Sequence, residues 1–265
     1  MPRGQDAAVP SAPLTSSEEN YLKALYALTE WESDPVTTGN IAAQLGVAPA
    51  SATSMVSKLA GKNLLIHPRY GAIEFTDAGR LAALSVVRRH RLIETFLLKE
   101  LGYGWDEVHE EAERLEHTVS TRFIDALAER LGNPAADPHG DPIPGPDGTV
   151  LMPPAIRLDR FLYPVSEDAR RTSTTSSSRT VTSAPSATPG VISSQVIVSR
   201  ISDEDPAWLR RCTELGISPG ALITVPHADL SAIDETMLWV LPHSPAHEQA
   251  AGNDSGVKAS GSTGA

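Results

Sequence analysis

The chain has 265 residues, of which 40% are hydrophobic, and a formal net charge of −11. That length allows two or three small domains with buried cores, while the lack of an apolar run of about 18 residues excludes a membrane-spanning helix. The single cysteine, Cys212, excludes an internal disulfide framework and a multi-thiolate zinc site; MPRGQDAAVPSAP lacks the apolar stretch of a signal peptide, so a cytoplasmic protein is expected.

Residues 1–13 are small, polar and Pro-containing and read as a disordered tail. In SSEENYLKALYAL, Ser16 as N-cap and Glu19 at N3 form a capping box, and Tyr21, Leu22, Leu25 and Leu28 supply the apolar face of a first helix. Thr37 caps a short helix with Ile41, Ala42 and Leu45. Gly46 permits a tight turn, and Pro49 opens a second helix burying Met55, Val56 and Leu59. This is a helix-turn-helix pattern whose second helix exposes Ser51, Thr53, Ser54, Ser57 and Lys58. LLIHPRYGAIEFT then reads as a two-stranded hairpin, which completes a winged helix. From Val36 to Ile73 there is no Asp or Glu, while Lys58, Lys62 and Arg69 are basic. The acidic chain keeps its acid away from this segment, which suits phosphate contact. Ser51, Thr53 and Ser54 are candidates for base or phosphate contacts, and Lys58, Lys62 and Arg69 for phosphates.

Thr76 starts a long helix to about Leu101, closed by Gly102. Leu81, Leu84, Val87, Leu92 and Phe96 mark its buried face, a candidate dimer interface. Within it, His90 and Glu94 stand at i, i+4. Asp106 caps a further helix predicted from about Glu107 to Leu131, and in it VHEEAERLEH puts His109, Glu113, Glu116 and His117 at i, i+4, i+7 and i+8. Spacing alone leaves two readings open, a solvated charged face or a set of metal donors. Imidazole with carboxylate suits Mn²⁺, Fe²⁺ or Zn²⁺, with carboxylate-rich sets favouring the harder ions. Buried neighbouring carboxylates repel until a cation neutralises them, which would make such a set a switch.

Residues 133–154 are rich in Pro and Gly and read as an ordered loop. Twelve of the 17 residues from Thr172 to Thr188 are Ser or Thr, a composition that predicts a flexible linker. Beyond it come a strand, a short helix, a Gly turn and another strand in a small β-rich module, and then a low-complexity tail. No Glu-x-x-His pair of the di-iron helical proteins occurs. Nor is there a His-Glu-x-x-His zinc motif or a Gly-rich phosphate loop, so an enzyme is not expected.

The order of these parts resembles the diphtheria-toxin-repressor family of metal-dependent transcriptional regulators, in its manganese-transport-regulator branch. The resemblance is carried by SSEENYLKALYAL, IAAQLGV, RYGAIEFTDAGR, RRHRLIETFLLKELGYGWDEVHEEAERLEHTVS, DPHGDPIPGPDG and RISDEDPAWLRRCTELGISPG. It implies a mainly α chain with a winged helix-turn-helix over 14–78 and a helical dimerisation and metal-binding domain over 79–160. A linker over 161–190, an SH3-like module over 191–242 and a tail over 243–265 follow. It also implies a homodimer that binds palindromic double-stranded operator DNA when Mn²⁺, or alternatively Fe²⁺, is bound, and so represses metal-transport genes. Carried over by position, a principal site would use Asn20, Glu113, Glu116 and His117. An ancillary, tuning site would use His90, Glu94 and His109, with Glu204 or Asp205 completing it. The chain departs from the pattern at Glu113, where iron-responsive members place a sulfur ligand, and a carboxylate there favours Mn²⁺. It departs again at Asn20, usually Asp, at Lys23, a Glu in some members, and in the insertion near 166–190. A winged-helix regulator sensing a non-metal signal is the competing reading, with Cys212 as its sole redox candidate.

Overall fold

The computed structural model describes residues 13–68, 71–164, 194–225 and 233–243. Arg69, residues 1–12 and 244–265 of the predicted tails, and residues 165–190 of the predicted linker lie outside the described residues. The chain divides into two compact units, Met1–Met152 and Pro153–Ala265.

In the first unit, α1 spans Ser16–Glu30, and its N-cap is Thr15 rather than the expected Ser16. The Thr15 hydroxyl accepts from the Glu18 amide at 3.3 Å, and the Glu18 carboxylate accepts from the Thr15 amide at 2.9 Å. Both Thr15-x-x-Glu18 and Ser16-x-x-Glu19 satisfy the capping-box pattern. Tertiary contacts decide between them, because Glu18 is buried under Lys58 and Lys62, at 3.2 and 2.6 Å. The helix-turn-helix follows the sequence expectation: α2 (Thr38–Gln44) is capped by Thr37, and α3 (Pro49–Gly61) opens on Pro49. Gly46 between them holds φ at 62°, a left-handed conformation in which a side chain would be strained. Strands β1 (Leu65–Ile66) and β2 (Glu74–Phe75) pair antiparallel to form the wing.

Helix α4 (Asp77–Leu101) begins at Thr76, whose hydroxyl accepts from the Gly79 amide at 3.0 Å. It passes through both cores of the unit. Ala83, Leu84 and Val87 join Leu22, Leu25, Ile41, Val56 and Leu59 in the winged-helix core. Leu92, Ile93 and Leu97 join Val108, Ala112, Ile124 and Leu127 in the second. Leu81, expected to be buried, is 48% exposed on the side of α4 that meets Gly145 and Gly148.

The predicted helix over 107–131 is two helices, α5 (Val108–Leu115) and α6 (Thr121–Arg130). The Thr118 hydroxyl donates to the Leu115 carbonyl at 2.9 Å, and the Ser120 hydroxyl caps α6 by accepting from the Phe123 amide at 3.2 Å. Side chains that bond to the nearby backbone offer it an alternative to continuing the helix. Glu116 and His117 therefore sit in the turn after α5 and not on a continuous helical stripe.

The second unit is an antiparallel sheet in the order β3-β6-β4-β5. Its elements are β3 (Ile156–Arg157), α7 (Leu158–Leu162), β4 (Ser194–Ile201), α8 (Pro206–Glu214), β5 (Leu222–Val225) and β6 (Leu238–Pro242). Strand β3 pairs with β6, so residues 156–162 belong with the small β module and not with the helical domain as the sequence boundary at 160 implied. Asp205, a candidate donor by resemblance, caps α8 by accepting from the Ala207 amide at 2.9 Å.

The fold makes two stability claims. A Cβ on Gly79 would lie 1.8 Å from the Leu64 carbonyl oxygen, where the first turn of α4 presses on the entry to the wing. Gly79→Ala is expected to destabilise the chain by about 1–3 kcal/mol, as overpacking against backbone does, read as a lower urea midpoint; an unchanged midpoint would contradict that close approach. Glu18 is the second. Burial pushes its carboxyl up, but hydrogen bonds from Lys62, Thr15 and Lys58 outweigh it and bring the pKa to about 2. A depressed folded pKa gives stability that is present above the ordinary value of 4.5 and lost as pH falls toward 2. Glu18→Gln should therefore lower the urea midpoint at neutral pH, and the gap to the parent chain should close on acidification; a gap independent of pH would refute the ion-pair account.

Candidate functional site

The centre of α4 is where the two cores of the first unit meet, and there the packing turns from apolar to charged. His90, Arg91 and Glu94 are all buried. His90 lies between two carboxylates that are themselves fully buried. Its Nε2 is 2.9 Å from Glu94 Oε1, and its Nδ1 is 2.6 Å from Glu116 Oε2. An ionised carboxylate out of water costs several kcal/mol unless it is paired. Burial alone would pull the His90 pKa down; the charge of Glu94 and hydrogen bonds to Glu116 and Glu94 outweigh it, and the net shift is upward. Glu116 moves the other way, below its ordinary value: burial would raise it, but the hydrogen bond and charge of His90, followed by Lys23, prevail.

His109, the second residue of α5, adds a second imidazole. Its Nδ1 lies 3.3 Å from Glu94 Oε1 and 3.3 Å from His90 Nε2. His90, Glu94 and His109, predicted as one set, thus converge. Two ring nitrogens and a carboxylate oxygen facing one another this closely form a nitrogen–oxygen donor set suited to Mn²⁺, Fe²⁺ or Zn²⁺, and the residues fit such an ion.

The second predicted set meets only in part. Glu113 Oε1 and Glu116 Oε1 approach each other through Lys23, whose ammonium donates to them at 2.5 and 2.6 Å and lies 3.4 Å from His90 Nδ1. His90, Glu113 and Glu116 can bring one donor atom each within 4.8 Å of one another. His90 therefore belongs to both groups and not to the ancillary set alone. Its i+4 spacing to Glu94 revealed one partner; the other depends on how α5 packs against α4. His117 Nδ1 donates to Glu19 Oε2 at 2.6 Å, and its Nε2, 3.5 Å from Glu116 Oε1, is buried without a hydrogen-bond partner. A histidine whose far nitrogen is fixed by a carboxylate, with the near lone pair left over, has the arrangement of a metal ligand. Asn20 Oδ1 is likewise buried with no hydrogen-bond partner.

Sequence reasoning missed Glu19, which Arg89 also holds at 2.5 Å. It also missed the position of Lys23. Both lie on one face of α1 at i, i+4, a signal available in SSEENYLK. Neither did it foresee the buried cluster beneath the site. Arg91 binds Glu30 through two nitrogens at 2.8 and 2.6 Å and donates to the Pro142 carbonyl at 2.7 Å, and Trp31 Nε1 donates to Asp141 Oδ1 at 2.8 Å. The loop DPHGD, fixed by Asp137 accepting from the His139 and Asp141 amides, brings His139 and Asp137 beside Glu94. Together these bonds lock α1, α4 and the 137–142 loop into one body.

On α3, Ser51, Thr53, Ser54, Ser57 and Lys58 are exposed side by side, as expected for a helix that reads a surface. The Thr53 hydroxyl donates to the Pro49 carbonyl at 2.9 Å and Ser57 to the Thr53 carbonyl at 2.8 Å. Lys58 and Lys62, expected to meet phosphates, both pair with Glu18. In the second unit Cys212 is fully buried, and burial pushes its thiol up to about 12, which leaves it a poor redox sensor.

Comparison with known proteins accords with this arrangement. A model of the iron-dependent repressor N-terminal DNA-binding domain matches residues 13–73, and one of the iron-dependent repressor metal-binding and dimerisation domain matches 76–145. A FeoA domain model matches 191–233. The chain is 28% identical over 248 residues to the iron-dependent repressor IdeR of Mycobacterium leprae (strain TN), covering 88% of this chain and 96% of that protein. It is 33% identical over 115 residues to the HTH-type transcriptional regulator MntR of Geobacillus kaustophilus (strain HTA426), covering 43% of this chain and 80% of that one. A solved manganese-dependent transcriptional repressor in complex with manganese superimposes with a TM-score of 0.68 at 36% identity, over 85% of this chain and all of that one. On this sequence identity and on the match of successive domains, the chain belongs to the iron-dependent repressor family, that of the diphtheria toxin repressor.

Proposed function

We propose that this chain is a metal-dependent DNA-binding transcriptional repressor of metal-ion homeostasis genes. It acts as a homodimer, with Mn²⁺ as its preferred ion and Fe²⁺ as the alternative. The observation that carries the reading is the convergence of His90, Glu94 and His109 with Glu113 and Glu116, at the place where the helix of the winged domain, α1, meets α4 and α5. All these donors are nitrogen or oxygen, and none is sulfur, which favours Mn²⁺ over softer-ligand choices. A bound cation would supply the positive charge that lets the buried carboxylates stand together.

The chain's own residues then carry the signal. Asn20, Glu19 and Lys23 lie on α1, so whatever fixes Glu116 and His117 against α1 also fixes the angle at which α3 is presented. In a dimer that angle sets the separation of two recognition helices, which must match the major-groove repeat of about 34 Å. Ser51, Thr53 and Ser54 are placed to meet bases or phosphates, and the acid-free stretch from Val36 to Ile73 keeps repulsion low there. Phe123 and Leu81, both 48% exposed on the helical part of the unit, are candidates for burial between two copies.

The test is Mn²⁺-stimulated binding to a promoter fragment from upstream of the organism's own manganese importer, with four variants. His117→Ala, at a candidate ligand, and Glu113→Ala, at a partner of the Lys23 ammonium that joins α1 to α5, should both lose most of the stimulation while staying folded. His90→Ala and Glu94→Ala should lose at least as much, since His90 serves both groups. A His90→Ala chain that responds to Mn²⁺ as the parent does would sink the site assignment.

A further inference from the structure

Resting on that metal-sensor reading, one residue of the site calls for its own account. Lys23 projects from α1 into the gap between α4 and α5. Its ammonium touches Glu113 Oε1 at 2.5 Å and Glu116 Oε1 at 2.6 Å, with His90 Nδ1 at 3.4 Å. These three residues can bring one donor atom each within 4.8 Å of one another. The lysine side chain is 15% exposed, Glu116 not at all and Glu113 35%, so the contact is interior on the Glu116 side and opens toward solvent at Glu113. We propose that Lys23 is a tethered cation that permanently fills one metal position, the one bounded by His90, Glu113 and Glu116.

The chemistry follows from the charges. Two carboxylates face one ammonium, so the trio has one negative charge left instead of the two that would hold a divalent ion. A divalent ion entering that gap would also meet the ammonium at contact range, and a like charge there is a strong local penalty. What remains for an exchangeable ion is the His90–Glu94–His109 group on one side. On the other are the unpartnered Asn20 Oδ1 and His117 Nε2 with the outer edge of Glu116. The tether has a structural consequence too. Lys23 belongs to α1 and its partners to α5 and the turn after it, so one cross-link between these elements is made by the polypeptide itself. Metal then modulates a junction that is already partly closed. The residue type matters: the ammonium is a compact charge with three donors, able to serve two carboxylates at once.

The test counts ions. The full-length chain is titrated with Mn²⁺, and free Mn²⁺ is followed by its electron paramagnetic resonance signal, for the parent, Lys23→Arg, Lys23→Met and Lys23→Glu. Lys23→Glu should bind about one Mn²⁺ per chain more than the parent, because the gap then carries three carboxylates and no resident cation. Lys23→Arg should match the parent. Thermal unfolding gives a second readout: in EDTA Lys23→Glu and Lys23→Met should melt below the parent, and Mn²⁺ should restore Lys23→Glu. Equal Mn²⁺ counts in the parent and Lys23→Glu would overturn the tethered cation. If the parent still bound the promoter fragment in a Mn²⁺-dependent way, the sensor reading would survive that failure. No Mn²⁺ bound by any of the four chains would overturn both.

Discussion

Everything at the centre of the first unit depends on one constraint: Glu94 and Glu116 are out of water and must be neutralised where they stand. His90 faces both, one through each ring nitrogen. The imidazole sits at the mid-point of α4, between the half that packs into the winged-helix core and the half that packs into the α5–α6 core. A change in how these carboxylates are compensated is therefore felt in both halves of the unit. That is the requirement for a sensor: a local change of charge that biases an arrangement shared by two modules.

Around this centre, two kinds of bond do different work. The Arg91–Glu30 fork, the Trp31–Asp141 bond and the backbone amides held by Asp137 in the DPHGD loop are closed within the chain, and they make a rigid floor. Breaking one partner of such a buried network costs several kcal/mol, so it is not the part that moves. Above the floor, Asn20 Oδ1 and His117 Nε2 are left without hydrogen-bond partners, and two imidazoles turn their nitrogens toward one carboxylate. A buried polar atom with no partner is costly and uncommon. Its concentration at this junction, and on residues of α1 and the turn after α5, marks where a cation would be bound with most effect. Lys58 and Lys62, though solvent-accessible, both reach Glu18, which anchors the end of α3 to α1, so the recognition helix moves with α1 rather than independently.

Local chemistry made much of this readable in advance. Thr37, Pro49 and Thr76 act within a turn of themselves, and each helix start they mark is where the sequence put it. The winged helix, the long α4 and the β-rich C-terminal module followed from such signals. Two of the misreadings share a cause, which is that tertiary contacts chose between local options of equal merit; the third is a local competition for backbone bonds. Thr15 displaced Ser16 as a cap because Glu18 had lysines to meet. The helix after Glu107 broke because Thr118 and Ser120 had backbone bonds to make, which moved Glu116 and His117 off the stripe. Strand β3 joined the second unit because Ile156 and Arg157 found β6. At the site, the identity of the candidate donors was legible from spacing. Their grouping was not, since His90 Nδ1 meets Glu116 across 26 residues and Lys23 meets Glu113 across 90.

The central claim is that these donors couple an ion to DNA binding. It is tested most directly by fluorescence anisotropy of a labelled promoter fragment from upstream of the organism's manganese importer, measured anaerobically with the full-length chain. The protein is titrated first in EDTA and then with Mn²⁺, Fe²⁺, Co²⁺ and Zn²⁺ in turn. Binding that strengthens on adding Mn²⁺ and falls back with chelator is the expected result, and the ranking of the ions would order Mn²⁺ against Fe²⁺. Tight binding in EDTA that no ion alters would contradict the account, and would leave a winged helix whose charged junction serves stability alone.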